Sequence, residues 1–491
     1  MIGVPIDILN CLLGGIDPHL CRTRKLPGTI DNPRFQHARP QFAAIIETRD
    51  PLQEGIGVIC HIARAGHAVG EIERAIVVTE MLVIVPQPRH QELIMRVDNL
   101  RVRRWFKIGV RSDAHGRFLM PGLWDNHQHF SDVEGALDLA NGVTSARDMA
   151  NDTDNFLKRV ARFDDGSELG PRVLKAGIID GTGEFAGPTK MRVDTAEQAI
   201  QDVDWYADHG YAQIKIYSSV KPELVPIIAD RAHARGLRVS GHVPAFMSAR
   251  QFVEGGADEI QHLNFIELNF LFPEVKETRN RDRFIKVAEH AREFTPDKPE
   301  VRDFIAFLKQ HHTVLDPTVS IFEALFCGDP AVVTPGLEGT VLCFPSQIRR
   351  SMLSGALEVP KGKEAAYHEA FPAMLRLLKA LYDAGITIIP GTDALAGYTL
   401  HHELELYVRA GIAPAEVLRM ATLTPALVMG VNKDRGVIAA GKLADMLLID
   451  GDPTQNIRDL NKIATVIKGG KVYDAAAIEK ALGIAPRQAG Q

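Results

Sequence analysis

Eight times after residue 117 a short β-rich run is followed by a stretch with helical spacing, and this alternation restricts the fold more than any other feature. The runs are 118–124, 142–148, 172–179, 212–217, 238–243, 259–263, 313–319 and 386–393. Helix-like segments at 222–235, 248–255, 300–311 and 365–384 lie between them. Gly236 and Gly385 stand where a helix ends in a left-handed residue. Strands joined by helical crossovers build parallel sheets, so the pattern predicts an α/β protein, a (β/α)8 TIM barrel over residues 112–432. An open doubly wound sheet is the competing arrangement, but no G-x-G-x-x-G follows an early strand.

Two helices, 401–410 and 414–421, and a third at 424–430 follow the last run. The tail, 433–491, returns to strands, with a hairpin around Gly469-Gly470, and predicts a small β-sandwich attachment formed at least by this C-terminal segment. Residues 320–362 read as an insertion between the seventh and eighth strands, lying over the barrel mouth. Residues 1–111 are different: Arg, Pro and His are frequent and periodic apolar patterns few. Only Ala75 to Val85 reads there as one or two buried strands. The region is expected to be atypical and largely irregular.

Composition excludes several classes. The 491 residues are 45% hydrophobic and 24% charged, ordinary soluble-globular values, and a net charge of -6 gives no footprint for nucleic acid. The cysteines number five, without a C-x-x-C pair, so neither a disulfide framework nor a cysteine zinc site is expected. Met1 to Leu20 has no basic n-region, and the run Ala75 to Pro86 is too short to cross a bilayer. A cytoplasmic protein without a membrane partner follows as the expectation.

In such barrels chemistry sits at the C-terminal ends of the strands. Those ends present His127 and His129, Lys215, His242, His262 and Asp393. Each alone has an ordinary explanation: a surface pair, a structural lysine, core histidines, a helix cap. Jointly they suit a divalent cation, because neutral imidazoles and carboxylates are ligands for Zn²⁺ and its relatives. His127 and His129 share one side of a strand by their i, i+2 spacing. Lysine is the odd member, since an ammonium repels cations. It fits if burial lowers its pKa and the neutral amine adds CO₂ to become a carbamate.

Several stretches, in order, resemble the metal-dependent amidohydrolase superfamily in its prolidase-like and imidazolonepropionase-like branch. They are Leu119-Met-Pro-Gly-Leu-Trp-Asp-Asn-His-Gln-His129, Gly142-Val-Thr-Ser-Ala-Arg-Asp148, Ile214-Lys-Ile-Tyr217, Gly241-His242, Gln261-His262, Pro390-Gly-Thr-Asp393, Ala421-Thr-Leu-Thr-Pro-Ala426 and Gly441-Lys-Leu-Ala-Asp445. The resemblance implies two zinc or similar ions. His127 and His129 would hold one with Asp393, His242 and His262 the other, and carboxylated Lys215 would bridge them. It implies a bridging hydroxide as nucleophile and Asp393 as the group that orients it and carries its proton to the leaving amine. The implied substrates are small amides: Xaa-Pro dipeptides, N-acyl amino acids or amide-linked aromatic compounds.

Tyr217 shares the inward face with Lys215 and is expected to contact the intermediate or a substrate carboxylate. His401 is a second expected substrate contact. Arg147-Asp148 reads as a structural ion pair near the site. A single-metal imidazolone-type ring hydrolase or deaminase is the rival within the superfamily, disfavoured because Gly241 to Phe246 lacks the usual glutamate. A non-catalytic binding protein is the rival of another class. A homo-oligomer is compatible with the sequence. Family members open with a β-rich segment that 1–111 does not resemble; an altered reading frame or misassigned start is the expectation drawn from that, and it would leave a secreted form open.

Overall fold

The computed structural model describes residues 114, 116–327, 332–333, 336–353 and 357–485, together with three short strands before them. Those strands are β1 (Ala75–Val78), β2 (Met95–Arg96) and β3 (Leu100–Arg103). The rest of the predicted atypical region lies outside the described residues.

Chain direction changes role at Gly122. β4 (Phe118–Pro121) and β5 (Leu123–Gln128) are separate strands in separate sheets, where one run was expected over 118–124. A Cβ at Gly122 would fall 2.1 Å from Thr144 Oγ1, so only glycine lets the chain turn against that side chain. The first barrel strand is therefore 123–128.

The next seven strands are β6 (Val143–Asp148), β7 (Arg172–Ile179), β8 (Gln213–Ile216), β9 (Arg238–Gly241), β10 (Glu259–Gln261), β11 (Val314–Asp316) and β12 (Thr387–Ile388). With β5 they form one eight-stranded parallel sheet in sequential order. The sheet curls round to meet itself. Asn126 N donates to Pro390 O at 3.0 Å and Asp393 N to His127 O at 2.8 Å, joining β5 to the chain beyond β12. That is a (β/α)8 barrel, as the alternation predicted. Helices cover it through apolar stripes. In Glu364–Asp383, for example, Tyr367, Phe371, Met374, Leu378 and Leu381 recur at three- and four-residue spacing and are all buried.

β13 (Met446–Ile449), β14 (Ile463–Lys468) and β15 (Lys471–Asp474) carry the tail. They continue through β4 to β2 as a five-stranded antiparallel sheet, while β1 pairs with β3 alone. The predicted hairpin is β14–β15, turning at Gly469-Gly470, both with positive φ. The insertion folds into helices, among them Val319–Cys327, Glu338–Val341 and Ser346–Met352. Its Cys343 and Phe344 pack with Ala396 and Tyr398, just beyond Asp393.

Candidate active site

The expected metal ligands meet at the rim where β5, β8, β9, β10 and the run after β12 end. Every one of the four histidines spends Nδ1 on a neighbour. His127 Nδ1 meets Asp316 Oδ2 at 2.7 Å and His129 Nδ1 donates to Ala150 O at 2.8 Å. His242 Nδ1 lies 2.9 Å from Ser218 Oγ, and His262 Nδ1 2.7 Å from Thr318 Oγ1. Such contacts fix ring orientation and leave Nε2 free to act as a ligand.

The Nε2 atoms converge. Those of His242 and His262 are 3.1 Å apart, and that of His127 is 3.0 Å from Lys215 Nζ. His129 Nε2 lies 3.1 Å from Asp393 Oδ1, and His262 Nε2 3.8 Å from Asp393 Oδ2. Ligand atoms of His127, His262 and Asp393 all fall within 4.8 Å of one another. Donor types and spacing both fit divalent cations.

The backbone is bent to make this meeting. His262 (φ 65°), Thr318 (φ 44°) and Asp393 (φ 49°) all lie in the left-handed region, which costs a non-glycine residue on the order of 1 kcal/mol or more. Gly241 (φ 152°) precedes His242, and a Cβ there would strike Ile216 O at 2.0 Å. Gly391 plays a similar part, since its Cβ would meet Asp316 Oδ1 at 2.3 Å and His127 Cβ at 2.6 Å.

Burial among cations sets the protonation states. It pushes His127 and His242 well below the usual imidazole range and His262 down to about 3, so these three are neutral. Burial also pulls Lys215 down to about 8, against the opposing charges of Asp393 and Asp316. Asp393 resists burial: its hydrogen bond with His129 holds it below the ordinary carboxylate value. The same bond outweighs burial at His129 and raises that ring.

Tyr217 stacks on the His242 ring with centroids 4.2 Å apart, and Lys215 Nζ sits 5.4 Å from its ring centre. Burial pushes its phenol up to about 12, which keeps the hydroxyl a donor. His401 is not brought to the cluster. It is buried beside the tail, with Nε2 2.8 Å from Asn141 O and Nδ1 3.2 Å from Asn461 Oδ1. Arg147 and Asp148 do not pair with each other. Arg147 forms a two-pronged pair with Glu259 across the barrel at 2.8 and 2.7 Å, while Asp148 accepts from Phe130 N.

Sequence reasoning missed Asp316, Ser218 and Thr318. Each stands at or just after a strand end, at the level of the named histidines. That position was the available signal.

A parallel eight-stranded barrel with imidazoles, a carboxylate and a lysine gathered at one rim defines a class, the metal-type hydrolases built on (β/α)8 barrels. The chain belongs to the Amidohydrolase family, whose model matches residues 118–473, and is thus a hydrolase acting on amide bonds. It is similar to the ochratoxinase of Aspergillus niger, 22% identical over 430 residues that cover 73% of this chain and 76% of that protein. Among solved structures it resembles a Xaa-Pro dipeptidase with bound methionine, with a TM-score of 0.53, 18% identity, and coverage of 82% of this chain and 95% of the other. It also resembles the bottromycin amidohydrolase, with a TM-score of 0.59, 20% identity, and coverage of 78% and 85% respectively.

Proposed function

We propose that the chain is a binuclear metal-dependent amidohydrolase that cleaves the amide bond of small substrates such as Xaa-Pro dipeptides, N-acyl amino acids or amide-linked aromatic compounds. The observation that carries this reading is the convergence of four imidazole Nε2 atoms on Asp393 and Lys215. His127 and His129 with Asp393 would hold one divalent cation, zinc or a similar ion, and His242 and His262 the second. Bound there, such cations supply an acidified water at neutral pH and a Lewis acid for the scissile carbonyl.

The protein's own residues supply the rest. Lys215, titrating near 8, keeps a neutral fraction at neutral pH. Its amine can bond to the carbon of CO₂ and lose one proton, and the resulting anionic carbamate would be a ligand suited to both cations. Asp393, ionised and beside His129, accepts the proton of the attacking water and delivers it to the departing amine. Tyr217, held against His242, donates its hydroxyl to the carbonyl oxygen or to a substrate carboxylate. The dipeptide class is the one in the name of the Xaa-Pro dipeptidase that this chain is similar to.

The test pairs metal analysis with a hydrolysis panel of dipeptides and N-acyl amino acids on zinc-supplemented protein. About two ions per chain are expected, with activity lost by at least ~100-fold in Lys215→Ala and Asp393→Asn. Wild-type rates in both variants sink the mechanism. Fewer than one ion per chain turns the reading toward a binding protein, and one ion toward a ring hydrolase or deaminase.

A further inference from the structure

Bulky branched side chains commonly fill the interior of a (β/α)8 barrel. Below the site of this one the filling is polar and charged instead, with Arg147, Gln213, Ser240, Glu259 and Asp316 all buried. Arg147, which projects from β6, is the hub. Its Nε donates to Asn126 O on β5 at 2.9 Å, and Nη1 donates to Gln213 Oε1 on β8 at 3.1 Å. Nη1 and Nη2 grip Glu259 on β10 at 2.8 and 2.7 Å, and Nη2 lies 3.5 Å from Asp316 Oδ2 on β11. One side chain thus ties β6 to four other strands.

Each partner stands close to a proposed metal ligand. Asn126 immediately precedes His127, Gln213 lies two residues before Lys215, and Glu259 three before His262. Gln213 extends the network to Ser240, two residues before His242, by donating from Nε2 to the serine Oγ. Asp316 reaches two ligands at once: its Oδ2 meets His127 Nδ1 and its carbonyl accepts from His262 N, both at 2.7 Å. A charged pair is seldom the most stable filling for an interior, and apolar residues of like volume often do as well. What the pair supplies is fixed geometry, because a planar fork of N–H donors is satisfied only by acceptors lying in set directions. We propose that Arg147 is a positioning residue for the metal centre, holding the strands of His127, Lys215, His242 and His262 in the mutual register that brings their ligand atoms together. The inference rests on the metal-dependent reading of the site and adds to it a side chain that touches neither metal nor substrate.

The test separates positioning from packing by reading metal binding apart from turnover. Zinc affinity is measured on metal-free protein by competition with a chelator, and ligand geometry by the visible spectrum of the Co²⁺-loaded protein. The variants are Arg147→Met, Arg147→Lys, and Arg147→Met combined with Glu259→Leu, each with a thermal melt. Arg147→Met alone is expected to melt well below wild type, since it leaves Glu259 buried without its partner. The double variant removes both charges and recovers most of that loss. Its zinc affinity stays ~10- to 100-fold below wild type, the usual cost of losing the groups that orient metal ligands, and its cobalt spectrum is altered. Arg147→Lys falls between, because an ammonium keeps the charge and loses the fork. A double variant with wild-type zinc affinity overturns the assignment. So does failure of all three variants to fold, which would make Arg147 part of the framework alone. Wild-type protein that binds no zinc removes the metal reading itself, and this assignment with it.

Discussion

His127 illustrates how a single side chain is made ready for work. Asp316, fully buried at the end of β11, takes Nδ1 and leaves Nε2 directed at the cluster. Asp316→Asn keeps the shape but offers an amide where a carboxylate stood. It is expected to lower metal affinity or kcat/KM by about 10- to 100-fold, the usual cost of losing such a partner. Titration of the metal content against a competing chelator checks this; unchanged affinity and activity would show that Asp316 only fills space. The histidines, Lys215 and Asp393 were legible in the sequence because strand ends and residue types announce them. Asp316, Ser218 and Thr318 were not, since a carboxyl or hydroxyl becomes a histidine's partner only once two separate strands are neighbours. His401 misled for the converse reason. A histidine soon after Asp393 looks available, and only the folded tail shows Asn461 and Asn141 enclosing it.

Among elements, the helix Val319–Cys327 starts under the carboxylate of Glu403, which belongs to another helix, Tyr398–Arg409. Glu403 accepts from Val319 N at 2.8 Å and Ser320 N at 2.7 Å, satisfying two orphan donors of the helix start. Burial nevertheless pushes its carboxyl up to about 7, from 4.5. The folded state thus holds a proton that the unfolded chain has released. Stability from this group is complete below the unfolded value and is lost as pH rises through the folded one. The loss amounts to about 3 kcal/mol between roughly pH 4.5 and 7. Thermal melts across this range are expected to show a shallower decline in Glu403→Gln than in wild type. Parallel curves would remove Glu403 from the pH dependence. Element positions were largely readable: β7 occupies the expected 172–179, and helix Glu364–Asp383 falls one residue from its expected ends. The division of 118–124 was hidden, because Pro121-Gly122 marks a break without saying which sheet each half joins. Left-handed φ at His262 and Asp393 was hidden too: His and Asp adopt it more readily than most residues, but nothing in the local sequence says which of them will.

At the scale of the molecule, tail and barrel share one core. Leu447 of β13 is fully buried, and its methyls would lie 2.8 and 3.1 Å from a Cβ placed on Gly142, at the start of β6. Leu447→Ala is expected to cost about 2–5 kcal/mol in a denaturant titration, since packing on both sides prevents collapse of the cavity. A cost below ~1 kcal/mol would mean that the tail sits loosely. The eight-strand alternation fixed the barrel in advance. How the tail is seated was beyond it, because antiparallel pairing between residues more than 300 positions apart leaves no periodic trace.

That seating has an outcome in time. β4, which leads straight into the strand of His127, pairs along Phe118–Pro121 with Met446–Ile449, a segment the ribosome delivers more than 300 residues later. Until then one border of β4 has no mate, and the stretch that aims two of the histidines is held from one side only. Catalysis in this protein therefore waits for residues 446–449, and a nascent chain halted before residue 446 would carry every proposed ligand without the clamp that steadies the first pair.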